Sequence, residues 1–211
     1  MTNSNDLRTL LTLPDETYAN YLLNKDCQSI KNINKSEIIN KSIECGISFA
    51  NKYKDFTIKD LLHDFDLMIY HGEGLSSFSF YELAYFEEPN KIVLCENNIN
   101  LVKNEAKNIS EFKCANIEDI IIGHEIFHKI EADNSDIYTN NVENLVFKIG
   151  PVKKYRKVKA TSEIGAMAFT KELLDLNFNP LIISYLLALA LGKEKVIYEQ
   201  IFGSKKNESK I

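Results

Sequence analysis

The chain has 211 residues, of which 45% are apolar, and its 25 basic and 30 acidic side chains give a formal net charge of -5. This length and apolar content are sufficient for a sizeable buried core in one domain. The acidic balance argues against direct nucleic-acid binding, which depends largely on neutralising phosphates, so proteins or peptides are the expected partners.

Cysteine usage and hydropathy bear on the compartment. The four cysteines form no Cys-x-x-Cys pair and stand at Cys27, Cys45, Cys95 and Cys114. Neither a disulfide framework nor a cysteine zinc cluster is therefore indicated. Residues 1–15 lack the basic and apolar segments of a signal peptide, and the longest apolar run, 181–191, falls short of the roughly 20 residues that span a bilayer. The sequence predicts a cytoplasmic protein without a membrane segment.

The first 60 residues are predicted to be mostly helical. Residues 1–34, with one helix near 15–23, are expected to form a peripheral extension. Ser36 and Thr57 are candidate N-caps of the next two helices. Basic and acidic side chains are balanced over residues 1–60, so the two adjacent helices do not indicate a DNA-binding helix-turn-helix.

An extended region follows these helices. Strand-like segments rich in apolar and aromatic residues occur at 67–70, 78–81, 83–86 and 91–95. Glu88-Pro89-Asn90 has the composition of a hairpin turn between the last two. We expect a small antiparallel sheet of three or four strands, whose edge can hold an extended peptide through main-chain hydrogen bonds.

Residues 123–128 read Gly-His-Glu-Ile-Phe-His, an HExxH motif. Asn116 is a candidate N-cap for the helix that carries it, and apolar residues on nearly every side predict that this helix is buried. Residues four apart share one helix face, so His124 and His128 can direct two imidazole nitrogens to one point beside Glu125. The motif is typical of a zinc site with its own general base. The alternative is two core histidines flanking a surface acid.

A catalytic zinc usually has three protein ligands, and no histidine follows His128, so the third ligand is expected to be an acid. The candidates are Glu131, Asp133, Asp136, Glu143, Glu163, Glu172 and Asp175. Glu131 and Asp133 follow too closely on the same helix to reach the metal from another side. Glu163 begins a predicted helix containing Gly165 and two alanines, and because a helical glycine costs about 1 kcal/mol, it favours close approach to the motif helix. An acid that merely stabilises the helix start is the alternative for Glu163.

The HEIFH motif and the later Glu-x-x-Ala-x-x-Phe-Thr-x-x-Leu-Leu segment at 163–174 together resemble the ImmA/IrrE family of metallopeptidases. The resemblance covers about residues 38–176 and includes the order of the upstream helices and strands. It implies an α+β fold, mostly helical and zincin-like, with the small antiparallel sheet packed on the HExxH helix. It also implies one zinc ion held by His124, His128 and Glu163, with Glu125 as catalytic base.

The interval between His128 and Glu163 is longer than the family pattern implies, which predicts an inserted loop at 134–159. A basic cluster, Lys153 to Lys159, lies within it. Tyr138, Tyr155 and Arg156 are candidates for stabilising an oxyanion, and a solvated loop without that role is the alternative.

The region after residue 176 is predicted to form a helical hairpin with Gly192 at its turn. A charged tail that we expect to be disordered follows it. The predicted organisation is a peripheral extension at 1–34, a metallopeptidase domain at 35–176, a helical hairpin at 177–202 and the tail at 203–211.

These features predict a zinc-dependent endopeptidase that cleaves a specific intracellular protein. The family resemblance implies that the substrate is a DNA-binding transcriptional repressor, often encoded nearby on a mobile element. The alternative is a metal-binding regulatory protein that sequesters its repressor partner without cutting it.

Overall fold

The computed structural model describes residues 4–26, 34–72, 82–113 and 115–208, and within them the chain has an α+β fold, as predicted. The helices are α1 (Ser4–Leu11), α2 (Asp15–Asp26), α3 (Lys35–Lys52), α4 (Ile58–Asp64), α5 (Glu96–Ala106), α6 (Ile117–Asp133), α7 (Tyr138–Asn141), α8 (Ala160–Leu173), α9 (Ile182–Ala190) and α10 (Glu194–Glu208). The strands are β1 (Met68–Gly72), β2 (Ala84–Glu87), β3 (Lys91–Cys95), β4 (Glu143–Ile149) and β5 (Val152–Lys157), and a 3-10 helix spans Ser110–Phe112.

Local capping signals explain where several helices begin. Thr57 caps α4 and Asn116 caps α6, as the sequence predicts. The prediction for α3 is shifted, because Asn34 rather than Ser36 is its N-cap. The side-chain oxygen of Asn34 accepts a hydrogen bond from the backbone N–H of Glu37 at 3.2 Å.

The main sheet is mixed rather than antiparallel, with strand order β1-β3-β2. Strands β2 and β3 are antiparallel because the turn at 88–90 joins them directly, whereas β1 pairs in parallel with the other edge of β3. The longer connection from β1 to β2 permits this arrangement. Residues 92–95 of the central strand are all buried, which is typical of a strand covered on both faces. The strand predicted at 78–81 lies outside the described residues.

The first two helices belong to the core, so the prediction of a peripheral extension at 1–34 is wrong for residues 10–23. Tyr18 is 1% exposed, and its hydroxyl donates a hydrogen bond to the carbonyl oxygen of Leu10 at 2.6 Å. Helix α2 packs against α8 and α10, and Asp15 pairs with Lys171 of α8 at 2.7 Å. Apolar side chains of α2 at near-helical spacing contribute this burial, although the segment is polar overall.

Helix α6 lies at the centre of the fold, and α8 packs between it and α3. Gly165 of α8 is the point of closest approach to α6, because an added Cβ would lie 2.8 Å from the ring of Phe127. On the other side of α8, a Cβ at Gly46 of α3 would lie 2.2 Å from the carbonyl oxygen of Gly165. The two glycines therefore allow α3, α8 and α6 to pack very closely. The close contact between α8 and α6 is the one that the small residues of α8 predicted.

We expect Gly46→Ala to lower the free energy of unfolding by about 3 kcal/mol, because the new methyl group must displace backbone rather than a flexible side chain. Urea denaturation of the purified chain measures this difference. Asn51→Ala, at an exposed position of the same helix, is the matched control and should change stability by less than about 0.5 kcal/mol. Equal stabilities of the two variants would show that α3 and α8 are not packed this closely.

The C-terminal helices α9 and α10 form the predicted hairpin, with Gly192 at positive φ in the turn. Helix α9 packs against α5, and one apolar core extends from Leu10 in α1 to Ile201 in α10. Helix α10 continues to Glu208, so residues 203–208 are helical where the sequence predicted disorder. The prediction of disorder rested on the charged composition of the tail, but lysine and glutamate are good helix formers. No helix in the described parts of the chain has the length and apolarity needed to cross a membrane.

The segment predicted as an inserted loop at 134–159 contains regular structure. After the short helix α7, strands β4 and β5 form a two-stranded antiparallel hairpin with Gly150 at positive φ in its turn. A bulge interrupts the pairing between Leu145 and Phe147. The loop was predicted from the length of the interval between His128 and Glu163, which does not distinguish a loop from a hairpin.

Candidate metal centre

Helix α6 presents the two histidines of the HExxH motif on one face, as their spacing of four residues predicts. The Nε2 atoms of His124 and His128 lie 3.1 Å apart, and the ring centroids are 4.8 Å apart. Both side chains are largely buried, with exposed fractions of 15% and 21%. The two imidazoles therefore converge on one point at the surface of a buried helix.

Glu163, in the first turn of α8, brings a carboxylate to the same point. Its Oε2 lies 3.4 Å from Nε2 of His124, and its Oε1 lies 3.8 Å from Nε2 of His128. The close packing of α8 on α6 at Gly165 makes this approach possible. His124, His128 and Glu163 thus form a cluster whose possible ligand atoms all lie within 4.8 Å of one another.

The spacing of these atoms fits a tetrahedral zinc ion. Two ligand atoms at about 2.0–2.1 Å from such an ion are roughly 3.3 Å apart. The two imidazole nitrogens are 3.1 Å apart and Oε2 of Glu163 is 3.4 Å from Nε2 of His124, both close to that value. The approach to His128 is 3.8 Å and is made by the other carboxylate oxygen, Oε1. Two imidazole nitrogens with one carboxylate oxygen are also a common ligand set of catalytic zinc. The residues present therefore fit the metal that the motif predicted.

The charges of the cluster stabilise each other. Burial raises the pKa of Glu163, but the hydrogen bond to His124 and the charges of His124 and His128 outweigh burial and lower the pKa to about 2. Burial likewise lowers the pKa of His128, yet its hydrogen bond to Glu131 and the charges of Glu125 and Glu163 raise it to about 9. The carboxylate of Glu163 is therefore ionised at neutral pH, the state in which it can bind a cation.

Glu125, the acid inside the motif, is 6% exposed and is not one of the three clustered residues. Burial raises the pKa of its carboxyl group, the charges of His124 and His128 oppose that rise, and the charge of Glu163 adds to it. A hydrogen bond with the backbone of Phe86 in β2 also lowers the pKa. Glu125 therefore lies next to the candidate ligands and to strand β2, with a pKa that its burial raises.

Glu131 does not face the point on which His124, His128 and Glu163 converge. It contacts His128 at Nδ1, the ring nitrogen on the side away from that point. Its Oε2 lies 3.0 Å from Nδ1 of His128, and it accepts hydrogen bonds from Ser162 and Thr139. Burial raises the pKa of Glu131, but the hydrogen bonds from His128, Ser162 and Thr139 outweigh burial and lower it. When His128 is in the neutral form that binds a metal, an ionised Glu131 keeps its proton on Nδ1 and leaves the Nε2 lone pair free for the ion. Sequence reasoning considered Glu131 only as a ligand, although its position three residues after His128 was the available signal.

Glu131→Gln should weaken zinc binding by about 10- to 100-fold, because the loss of charge removes the group that orients and polarises His128. Competition with a chromophoric zinc chelator measures the affinity. Asp133→Asn is the control, since Asp133 lies on the same helix but is exposed and pairs with Lys129 at 2.7 Å. A Glu131→Gln chain that binds zinc as tightly as the control would exclude the positioning role.

The other predicted acids stand away from the cluster. Of the described residues, only His124, His128 and Glu163 form a group of potential ligands. The acids that were considered as ligands and are not in this group are Glu131, Asp133, Asp136, Glu143, Glu172 and Asp175. Asp136 and Glu143 are exposed after the end of α6, and Asp175 follows α8 with positive φ.

A cleft of about 730 Å³ opens beside the three clustered residues and is lined by parts of α2, β2, α6, α8, α9 and α10. His124, Glu125 and Glu163 line it, as do Lys25 and Lys159. The apolar part of its lining includes Leu22, Leu83, Ile121, Met167, Leu181 and Ile197. The cleft offers a peptide-sized apolar surface next to the candidate metal centre.

The three residues predicted as oxyanion stabilisers do not line this cleft. The ring of Tyr138 lies under the ammonium group of Lys41, Tyr155 is 49% exposed on β5, and Arg156 pairs with Asp26 at 2.9 Å. The cations that line the cleft are Lys25 and Lys159 instead. Lys159 is the last residue of the basic cluster identified in the sequence, whereas Lys25 lies in no motif and is identified only by the packing of α2 against α8.

Comparison of the chain with protein-family models, with curated proteins and with solved structures finds no match. The fold and the cluster define an α+β protein with a possible metal site made of two histidines and a glutamate.

Proposed function

We propose that this protein is a zinc-dependent endopeptidase of the ImmA/IrrE type, with a zincin-like domain, that cleaves a specific protein in the cytoplasm. The observation that carries the proposal is the convergence of His124, His128 and Glu163 beside the buried carboxylate of Glu125. Two imidazoles and a carboxylate around one point, with a separate acid next to them, are the components of a hydrolytic zinc site.

Each residue has a chemical role in this proposal. Zinc held by His124, His128 and Glu163 would supply an acidified water and a Lewis acid for the peptide carbonyl. Glu125 accepts the proton that the attacking water loses and returns it to the leaving nitrogen as the peptide C–N bond breaks. Glu131 fixes the ring of His128 throughout.

Strand β2 supports an extended peptide as the substrate. Among the strands that the structure describes, it lies at an edge of the main sheet; it packs against α6 and contacts Glu125 through the backbone of Phe86. A substrate segment that pairs with this edge through main-chain hydrogen bonds lies along the cleft. Pairing at a strand edge uses main-chain hydrogen bonds that any sequence can form, so selectivity among protein substrates must come from side-chain contacts elsewhere.

The proposed substrate is a DNA-binding transcriptional repressor, which follows from the family resemblance of residues 38–176. Co-expression of the protein with the repressor encoded beside its gene tests this. We expect a repressor fragment whose mass identifies a single cut, together with about one zinc ion per chain in protein purified without chelator. An intact repressor that is nevertheless inactivated would instead favour the regulator that sequesters its partner.

A further inference from the structure

The β4–β5 hairpin concentrates the exposed apolar surface of the described chain. Six of the ten exposed large hydrophobic residues lie on it, and they are Leu145, Val146, Phe147, Ile149, Val152 and Tyr155. Ile149 and Val152, at the turn, are 64% and 61% exposed. Single exposed apolar residues are ordinary, but a cluster of this kind is typical of an interaction surface.

The strand register divides these residues between two faces. Ile149 pairs with Val152 and Phe147 pairs with Lys154, and the alternation along β5 places these two pairs on one face of the hairpin. Phe147, Ile149 and Val152 are here called the apolar hairpin face. After the bulge, Leu145 pairs with Tyr155 on the opposite face, together with the Lys148–Lys153 pair.

The hairpin is fastened at its base to the rim of the cleft. Arg156 shares the face of Lys154 and binds Asp26, donating to its carbonyl oxygen at 2.6 Å and to its Oδ1 at 2.9 Å. Asp26 lines the cleft and also accepts a hydrogen bond from the backbone N–H of Ala160, at the start of α8, at 3.1 Å. The apolar hairpin face therefore lies on the side of the hairpin that Arg156 ties to the cleft.

The charge of this segment is opposite to that of the protein. Residues 143–159 contain six basic side chains and one acidic side chain, within a chain of net charge -5. Lys154 is exposed on the apolar hairpin face itself, and Lys148 and Lys153 are exposed beside it near the turn, on the opposite face. A partner that covers this surface is expected to offer carboxylates as well as apolar side chains.

We propose that the apolar hairpin face is an exosite that binds an extended segment of the protein substrate carrying apolar and acidic side chains on the side that faces the hairpin. This inference rests on the proposed function, because the occupant is the protein that is cut. A nucleic acid has no counterpart for the apolar residues. A lipid surface does not account for the attachment of this face to the cleft through Arg156. Binding here supplies the side-chain selectivity that main-chain pairing at β2 lacks.

The experiment measures binding rather than cleavage, in the full chain carrying Glu125→Gln. The probe is a fluorescein-labelled 16-residue peptide in which pairs of valine or leucine alternate with pairs of aspartate or glutamate, so that each side of the extended peptide carries both kinds; its binding is followed by fluorescence anisotropy. The triple variant Phe147→Ser, Ile149→Ser, Val152→Ser should weaken its binding at least tenfold. Leu145→Ser with Tyr155→Ser alters the opposite face of the same hairpin and should change binding by less than twofold. All of these positions are exposed, and circular dichroism melting verifies that the variants fold.

Several outcomes would overturn the exosite. They are the absence of peptide binding at 1 mM, an equal loss in both variants, and equal binding of a peptide with lysine in place of its acids. Sedimentation with vesicles of 70% phosphatidylcholine and 30% phosphatidylglycerol that depends on the same three residues would assign the face to a membrane. A dimer that only the triple variant dissociates would assign it to a second copy of the chain. Repeating the titration after chelator treatment separates the two proposals, because the exosite should bind peptide without zinc even if the peptidase function fails.

Discussion

Glu125→Gln is expected to reduce cleavage of the repressor by about 10²- to 10⁴-fold while the protein retains its zinc. The amide has the shape of the carboxylate but cannot accept the proton of the attacking water. Glu125 is not one of the three clustered residues, so its replacement leaves the ligand set intact. The rate of repressor cleavage, followed by gel densitometry, and the zinc content, from elemental analysis of the same sample, test both parts.

Glu118→Gln is the matched control for this prediction. Glu118 is in the first turn of the same helix, where it pairs with Lys103 at 2.5 Å and is 41% exposed. We expect this variant to cleave at the unaltered rate. If Glu125→Gln still relieves repression fully, the peptidase proposal is wrong and the sequestering regulator takes its place.

Glu163→Gln and His124→Ala are each expected to weaken zinc binding by more than about 100-fold. Loss of a residue that only contacts a ligand costs up to about 100-fold, and loss of a ligand itself should cost more. Glutamine at position 163 keeps the volume of the side chain but loses the charge that is stabilised beside the two histidines. Competition with a chelator gives the affinities, and loss of cleavage should accompany loss of metal at limiting zinc.

Glu172→Gln is the control for the third ligand, because Glu172 is a candidate acid in the last turns of the same helix that lies outside the cluster. Its zinc affinity should equal that of the unaltered chain. A tightly bound zinc ion in the Glu163→Gln protein would mean that another acid completes the site. A chain that binds no zinc under any condition would leave His124 and His128 as structural residues.

The parts of the site that the sequence predicted best depend on local geometry. His124 and His128 share a helix face whatever surrounds the helix, so four residues of spacing were enough. Glu163 lies 35 positions after His128, and its placement was predictable only because Gly165 marked a close helix contact. Lys25 carried no comparable signal, since its position at the cleft depends on how α2 and α8 pack.

The fold was predictable to a similar extent and for the same reason. The turn at 88–90 fixed β2 and β3 as an antiparallel pair, but nothing local determined that β1 would pair in parallel with the far edge of β3. Strand β5 reads Val-Lys-Lys-Tyr-Arg-Lys and is exposed throughout, so it has no regular apolar-polar alternation that would have indicated a strand. Tyr18 and Leu23 are buried by contacts with distant helices, which the polar composition of the segment around them concealed.

The cleft is lined by helices from both ends of the described chain, so its parts are synthesised at different times. Tyr21 and Leu22 of α2 line the cleft together with Val196, Ile197 and Gln200 of α10. A ribosome translates α2 and all three clustered residues well before it translates α10. The nascent chain therefore contains Glu125 and the three clustered residues before it contains α10. The cleft is complete only once α10 has emerged from the ribosome and docked. In the proposed function, the substrate-binding surface is therefore assembled only after the β4–β5 hairpin and the three clustered residues have been translated.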